Sequence, residues 1–78
     1  MASEKRVEEI IRRATRFTNL KNAWDYTYRA LKPMTVMHGD DGYYWIVTLG
    51  ESTILQRLGY EIAPNPYKIE NEYNNKRH

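Results

Sequence analysis

Between Pro33 and Leu49 the chain reads MTVMHGDDGYYWIVT, two runs rich in β-branched, methionine and aromatic residues on either side of a Gly-Asp-Asp-Gly quartet. No other stretch restricts the fold as strongly, because such runs separated by turn residues specify a β-hairpin. A hairpin alone is marginal in water, so the rest of the chain must cover it. Gly42 tolerates positive φ and aspartate bonds its own backbone, which suits the quartet to a tight bend. Taking the loop as Asp41-Gly42 or as Gly39 to Gly42, an even length either way, puts Met34, Val36 and His38 on one face with Tyr43, Trp45 and Val47. Thr35 and Met37 then share the other face with Tyr44, Ile46 and Thr48. The first face is the more apolar and is expected to point inward. The second is too apolar for a sheet with one side in water.

The flanks supply helices. Glu4 follows a capping Ser3, and Val7, Ile10, Ile11, Ala14 and Phe17 recur at steps of three and four, an amphipathic helix. TNLKN interrupts it, yet Leu20, Trp24, Thr27 or Tyr28, and Leu31 keep helical spacing. A second helix is therefore predicted from Leu20 or Ala23 to Leu31, or one bent helix across both, ended by Pro33. After the hairpin, Thr48 and Glu51 stand in capping-box relation at the start of a short helix. Gly59 ends that helix, with Tyr60 placed to pack back on Leu55. YEIA, residues 60–63, offers a third strand. The fold class is α+β, with one domain over residues 1–63 and an extended or disordered, mobile tail over 64–78.

At 78 residues one core is the limit, and a chain this short buries only about 60% of the surface it exposes when unfolded. The lack of cysteine removes disulfides and thiolate zinc sites, leaving packing or self-association to add stability. No apolar run is long enough for a signal peptide or a bilayer span, so a cytoplasmic protein without membrane contact is expected. The net charge of +2 is unevenly spread. Residues 1–32 hold eight basic and four acidic side chains, whereas residues 33–63 hold one basic and four acidic.

Four groups of residues are candidates for chemistry. His38, Asp40 and Asp41 could be taken for metal ligands, but at a loop tip the acids serve the bend, and neither metal nor cofactor is expected. Catalytic motifs are lacking: there is no nucleophile elbow, cysteine nucleophile or phosphate-cradling glycine loop, so no enzyme activity is expected. Arg6, Arg12, Arg13 and Arg16 lie opposite the apolar stripe of the first helix and could hold phosphates of a nucleic acid. Against that, Glu8 and Glu9 precede Arg12 and Arg13 by four residues, the order that supports a solvated helix face.

The aromatic residues point to protein contact. With Trp24, Tyr28, Val36, Trp45 and Val47 as core, Tyr26, Met37, Tyr44 and Ile46 are left as a second surface, rimmed by the acidic hairpin tip. The resulting expectation is a small protein-binding module, a homodimer or an accessory subunit of a larger partner. Nucleic-acid binding through the arginines is the alternative. Packing of helices on both sides of the hairpin is the competing account of the second face.

Overall fold

The computed structural model describes residues 4–68, so the expected cap Ser3 lies outside the described residues. The first helix, α1, is Glu4–Arg13, with Glu4 in its first turn and Arg12 and Arg13 in its last, each charge suited to its end of the helix dipole. It does not run on through Phe17. A three-residue strand, β1 (Thr15–Phe17), follows and pairs antiparallel with the second hairpin strand, β3 (Tyr44–Thr48). The helical spacing therefore splits: Val7, Ile10, Ile11 and Ala14 pack into one cluster and Phe17 into another. Three strand pairings, Thr15 with Ile46, Arg16 with Trp45 and Phe17 with Tyr44, override a local pattern that would continue a helix.

The second helix, α2, is Leu20–Arg29. Asn19 caps it, its side chain accepting from the Asn22 amide at 2.9 Å. It stops before Leu31, because Ala30 is already extended three residues ahead of Pro33. Leu31 is consequently fully exposed and Tyr28 is 60% exposed, which corrects the placement of both on an inward stripe. Ala23 and Trp24 are the residues this helix buries.

The sheet has the order β1-β3-β2, with β2 at Met34–His38. Its register differs from expectation by one residue. Val36 faces Ile46 and Met37 faces Trp45, while the Gly39 amide donates to the Tyr43 carbonyl at 2.9 Å. Three residues, Asp40 to Gly42, thus close the hairpin, and the third, Gly42, has a φ of 86°. A positive φ at that position belongs to the odd-length loop with a glycine bulge. An odd loop exchanges partners across the faces.

Met37, Trp45 and Val47 therefore share one face, where they pack with Ile10 and Leu55. Val36 and Ile46 share the other, with Ala23, Trp24 and Ala63. Three layers result: α1 and the third helix, α3 (Leu49–Arg57), on one side, the sheet, and α2 on the other. Both faces of the hairpin are covered within one chain, which removes the reason for a second copy over an apolar outer face.

The ends of α3 follow the local signals. Glu51 donates its amide to the Thr48 hydroxyl and accepts the Thr48 amide in return, the reciprocal capping box. At the other end Gly59 has a φ of 100°, its amide reaches the Gln56 carbonyl, and the Tyr60 amide reaches the Leu55 carbonyl. That pair of bonds is the Schellman arrangement, and Tyr60 packs on the Leu55 cluster.

YEIA contributes a single bridge, Ile62 opposite Met37, in place of a strand. Residues 64–68 do not trail away from the domain. The Trp24 Nε1 donates to the Pro64 carbonyl at 2.9 Å, the Tyr67 hydroxyl donates to the Asp25 carboxylate, and Tyr67 packs beside the Trp24 cluster. The folded unit thus extends past residue 63. The remainder of the expected tail, 69–78, lies outside the described residues.

Candidate functional site

The hairpin tip is a clamp. Asp41 accepts from Arg16 Nε at 2.8 Å, from Trp45 Nε1 at 2.9 Å and from the Tyr43 amide at 3.1 Å. The Arg16 hydrogen bond is the main cause holding the Asp41 carboxyl below its usual range. Arg16 also lies over the Trp45 ring, 5.2 Å from its centroid, and donates to the Ala14 carbonyl. Gly39 makes room for this arrangement, since a Cβ there would stand 2.3 Å from Trp45 Nε1. Asp40 accepts from the Tyr60 hydroxyl at 3.1 Å; burial first, and Asp40 second, raise the Tyr60 phenol above its usual range. Both acids are thereby tied to the fold, and His38 turns to the Tyr44 ring. Among the described residues no three metal-ligating side chains converge, and no helix is long and apolar enough to cross a membrane.

The expected protein-contact set separates. Met37 and Ile46 are 0% and 2% exposed, in the two opposite clusters, so neither can form part of a contact surface. The one-residue change in register moves Met37 to the Trp45 face, while Ile46 keeps the opposite face and is covered there by α2. Tyr44 is half-buried, and Tyr26 is exposed with its ring 5.5 Å from Phe17, which stands opposite Tyr44 in the sheet. Tyr26 and Tyr44 are thus brought near each other through Phe17.

The arginines separate too. Arg12 shares a shallow depression with Lys5, Glu8 and Glu9, and Arg13 lines a different one with Lys32 and Glu51. Arg16 leaves the helix for β1, where its guanidinium serves Asp41 and Trp45. Of the four, Arg6 and Arg12 remain on α1 as expected and Arg13 ends it.

A different site emerges at the outer edge of β2, where a groove of about 570 Å³ is lined by Trp24, Tyr28, Met34, Leu49, Ile62 and Lys68 among others. Tyr28 comes from the last turns of α2, Leu49 from the first turn of α3, and Ile62 from the bridge beside Met37. They are 60%, 51% and 43% exposed, and all three turn toward one concavity. Among the described residues, Lys68 is the single ionisable acid or base of the lining apart from the Tyr28 phenol. Sequence reasoning missed this site because it assigned Tyr28 to the core.

No family model matches the chain, and no curated protein and no solved structure is similar to it.

Proposed function

We propose that the chain is a small, non-enzymatic module that binds a protein partner through the groove beside β2. The observation supporting this reading is the convergence of Tyr28, Leu49 and Ile62, exposed apolar side chains from three separate elements, on one concavity. Single apolar residues are ordinary on a surface, whereas a contiguous group rimmed by polar residues marks contact with a partner. The partner is a different protein and not a second copy, because each face of the sheet already has its cover within the chain. Nucleic acid is the weaker reading, since Arg16 is engaged by Asp41 and Trp45 and glutamates stand beside Arg12.

The test is selection of random dodecapeptides displayed on phage against the full chain, with removal of those that also bind Leu49→Asp. That position is exposed in the first turn of α3, where an added carboxylate is tolerated by the helix dipole, so the variant stays folded. Enrichment of peptides that bind the parent chain and not the variant is the expected result. Enrichment of none, or of peptides indifferent to the substitution, overturns the groove as the binding site.

A further inference from the structure

The edge of β2 states what kind of ligand the groove suits. Val36 and His38 turn their main-chain groups outward: the Val36 carbonyl accepts from the Ala63 amide at 2.8 Å, and the His38 amide donates to the Glu61 carbonyl at 2.9 Å. Main-chain direction alternates along a strand, so Met34, two residues before Val36, turns its own amide and carbonyl to the same side. Continuing the Met37–Ile62 register would set Asn65 opposite Met34. The chain does not go there.

The Pro64 carbonyl accepts from Trp24 Nε1, which turns the chain toward α2. The Asn65 side chain is engaged on both sides, accepting from the Tyr67 amide at 3.0 Å and donating to the Tyr28 hydroxyl at 2.9 Å. Residues 64–68 are thus drawn onto α2. Among the described residues, β2 has no strand partner on its outer side at Met34, and the groove opens there.

We infer that the groove takes an extended peptide of another protein, added as a short strand at Met34, with apolar side chains against Tyr28, Leu49 and Ile62 and a carboxylate at Lys68. This rests on the protein-binding reading above and gives it a ligand class. An open strand edge is complementary to one thing above others, the main chain of an extended segment, which supplies both donor and acceptor in register. Alternate residues of such a segment face the groove walls, which are apolar. Among the described residues the charge of the lining is the Lys68 cation, so one acid in the peptide is complementary to it.

The probe is a capped octapeptide of alternating threonine and valine with one central glutamate, titrated into the full chain by amide-detected NMR. Shifts centred on Met34, Leu49, Ile62 and Lys68 are expected. N-methylation of peptide amides of one parity should weaken binding roughly tenfold, while the other parity leaves it unchanged, because only alternate amides face the β2 edge. Glutamate to glutamine in the probe should weaken it roughly twofold to fivefold, as should Lys68→Ala. Shifts in the groove with no parity in the N-methyl series overturn strand addition and leave the protein-binding reading standing. Absence of groove shifts at millimolar probe overturns the inference; peptides recovered from the phage selection decide the broader reading on separate grounds.

Discussion

Over the Trp45 face of the sheet lie two helices, whereas over the Ile46 face lie one helix and the segment 61–68, which is helical at 66–68. A helix satisfies its own main chain and can be laid wherever its apolar side fits. A non-helical cover has no such independence, and each of its amides and carbonyls must find a partner in what it covers. Glu61 and Ala63 find theirs on β2 and Pro64 on α2, while the Tyr67 amide turns to the Asn65 side chain and the Tyr67 hydroxyl to Asp25. The groove is the space left where the segment changes from one set of partners to the other. The difference in cover explains why the Trp45 side is sealed and the opposite side opens at its margin.

The largest effects test whether both faces are cores at all. Trp45→Ala should lower unfolding free energy by about 3–5 kcal/mol, and Ile46→Ala by about 2–5 kcal/mol, both measured by urea titration. An Ile46→Ala change within about 0.5 kcal/mol, as for a surface position, would break the two-sided core and return Ile46 to the solvent. A smaller effect is expected at Gly39. Its alanine variant places a Cβ against the Trp45 indole and should cost about 1–3 kcal/mol by overpacking, with a shift in tryptophan fluorescence as the indole moves off Asp41.

Smaller again is the effect of Tyr67→Phe, which deletes the hydroxyl bonded to Asp25 and should cost about 0.5–1.5 kcal/mol. Its value lies in where the loss appears. Amide exchange should quicken at His38 and Ala63, whose bonds tie the segment to β2, and stay as in the parent across α1 and α3. Uniform quickening throughout would mean that the segment and the two-helix side unfold as one unit, and the contrast between the two covers would fail.

What the sequence made legible was what short-range chemistry decides. Thr48 with Glu51, and Gly59 with Tyr60, fix both ends of α3 through bonds no more than five residues apart, and each is present as read. Asn19 capped α2 for a similar reason, although it was read as an interruption. The third strand was not legible in its place. Thr15 to Phe17 pair with residues about thirty positions on, and the Ala14 to Phe17 spacing imitates a helix. The register failed on one residue of loop length. Gly42 as the last of three loop residues was open to reading from its tolerance of positive φ, but two glycines around two aspartates fit even loops equally well. Because side chains alternate, that single residue moved Met37 to the Trp45 face, while Ile46 kept its face and was buried by α2, and the candidate site was lost with them.

The hairpin tip sharpens the comparison at its smallest scale, since the same Asp41 joins β1, through Arg16, to the indole that lies at the centre of the sealed face. Its carboxyl pKa is lowered below the ordinary 3.8, mainly by the Arg16 hydrogen bond. In the folded state the proton is therefore lost more readily than in the unfolded chain. Below 3.8 the unfolded state binds more protons, and stability rises with pH there. The contribution is fully present above 3.8 and disappears as pH falls through the lower folded value. Asp41→Asn keeps an oxygen for the indole and the Tyr43 amide but no charge for Arg16. The urea midpoints of parent and variant should differ at pH 6 and draw together as pH is lowered past 3.8, with added salt reducing the gap at pH 6. A gap that persists unchanged below the folded pKa would assign the clamp to hydrogen-bond geometry alone, and Arg16 would then hold β1 to the tip by its stacking on Trp45 and not by charge.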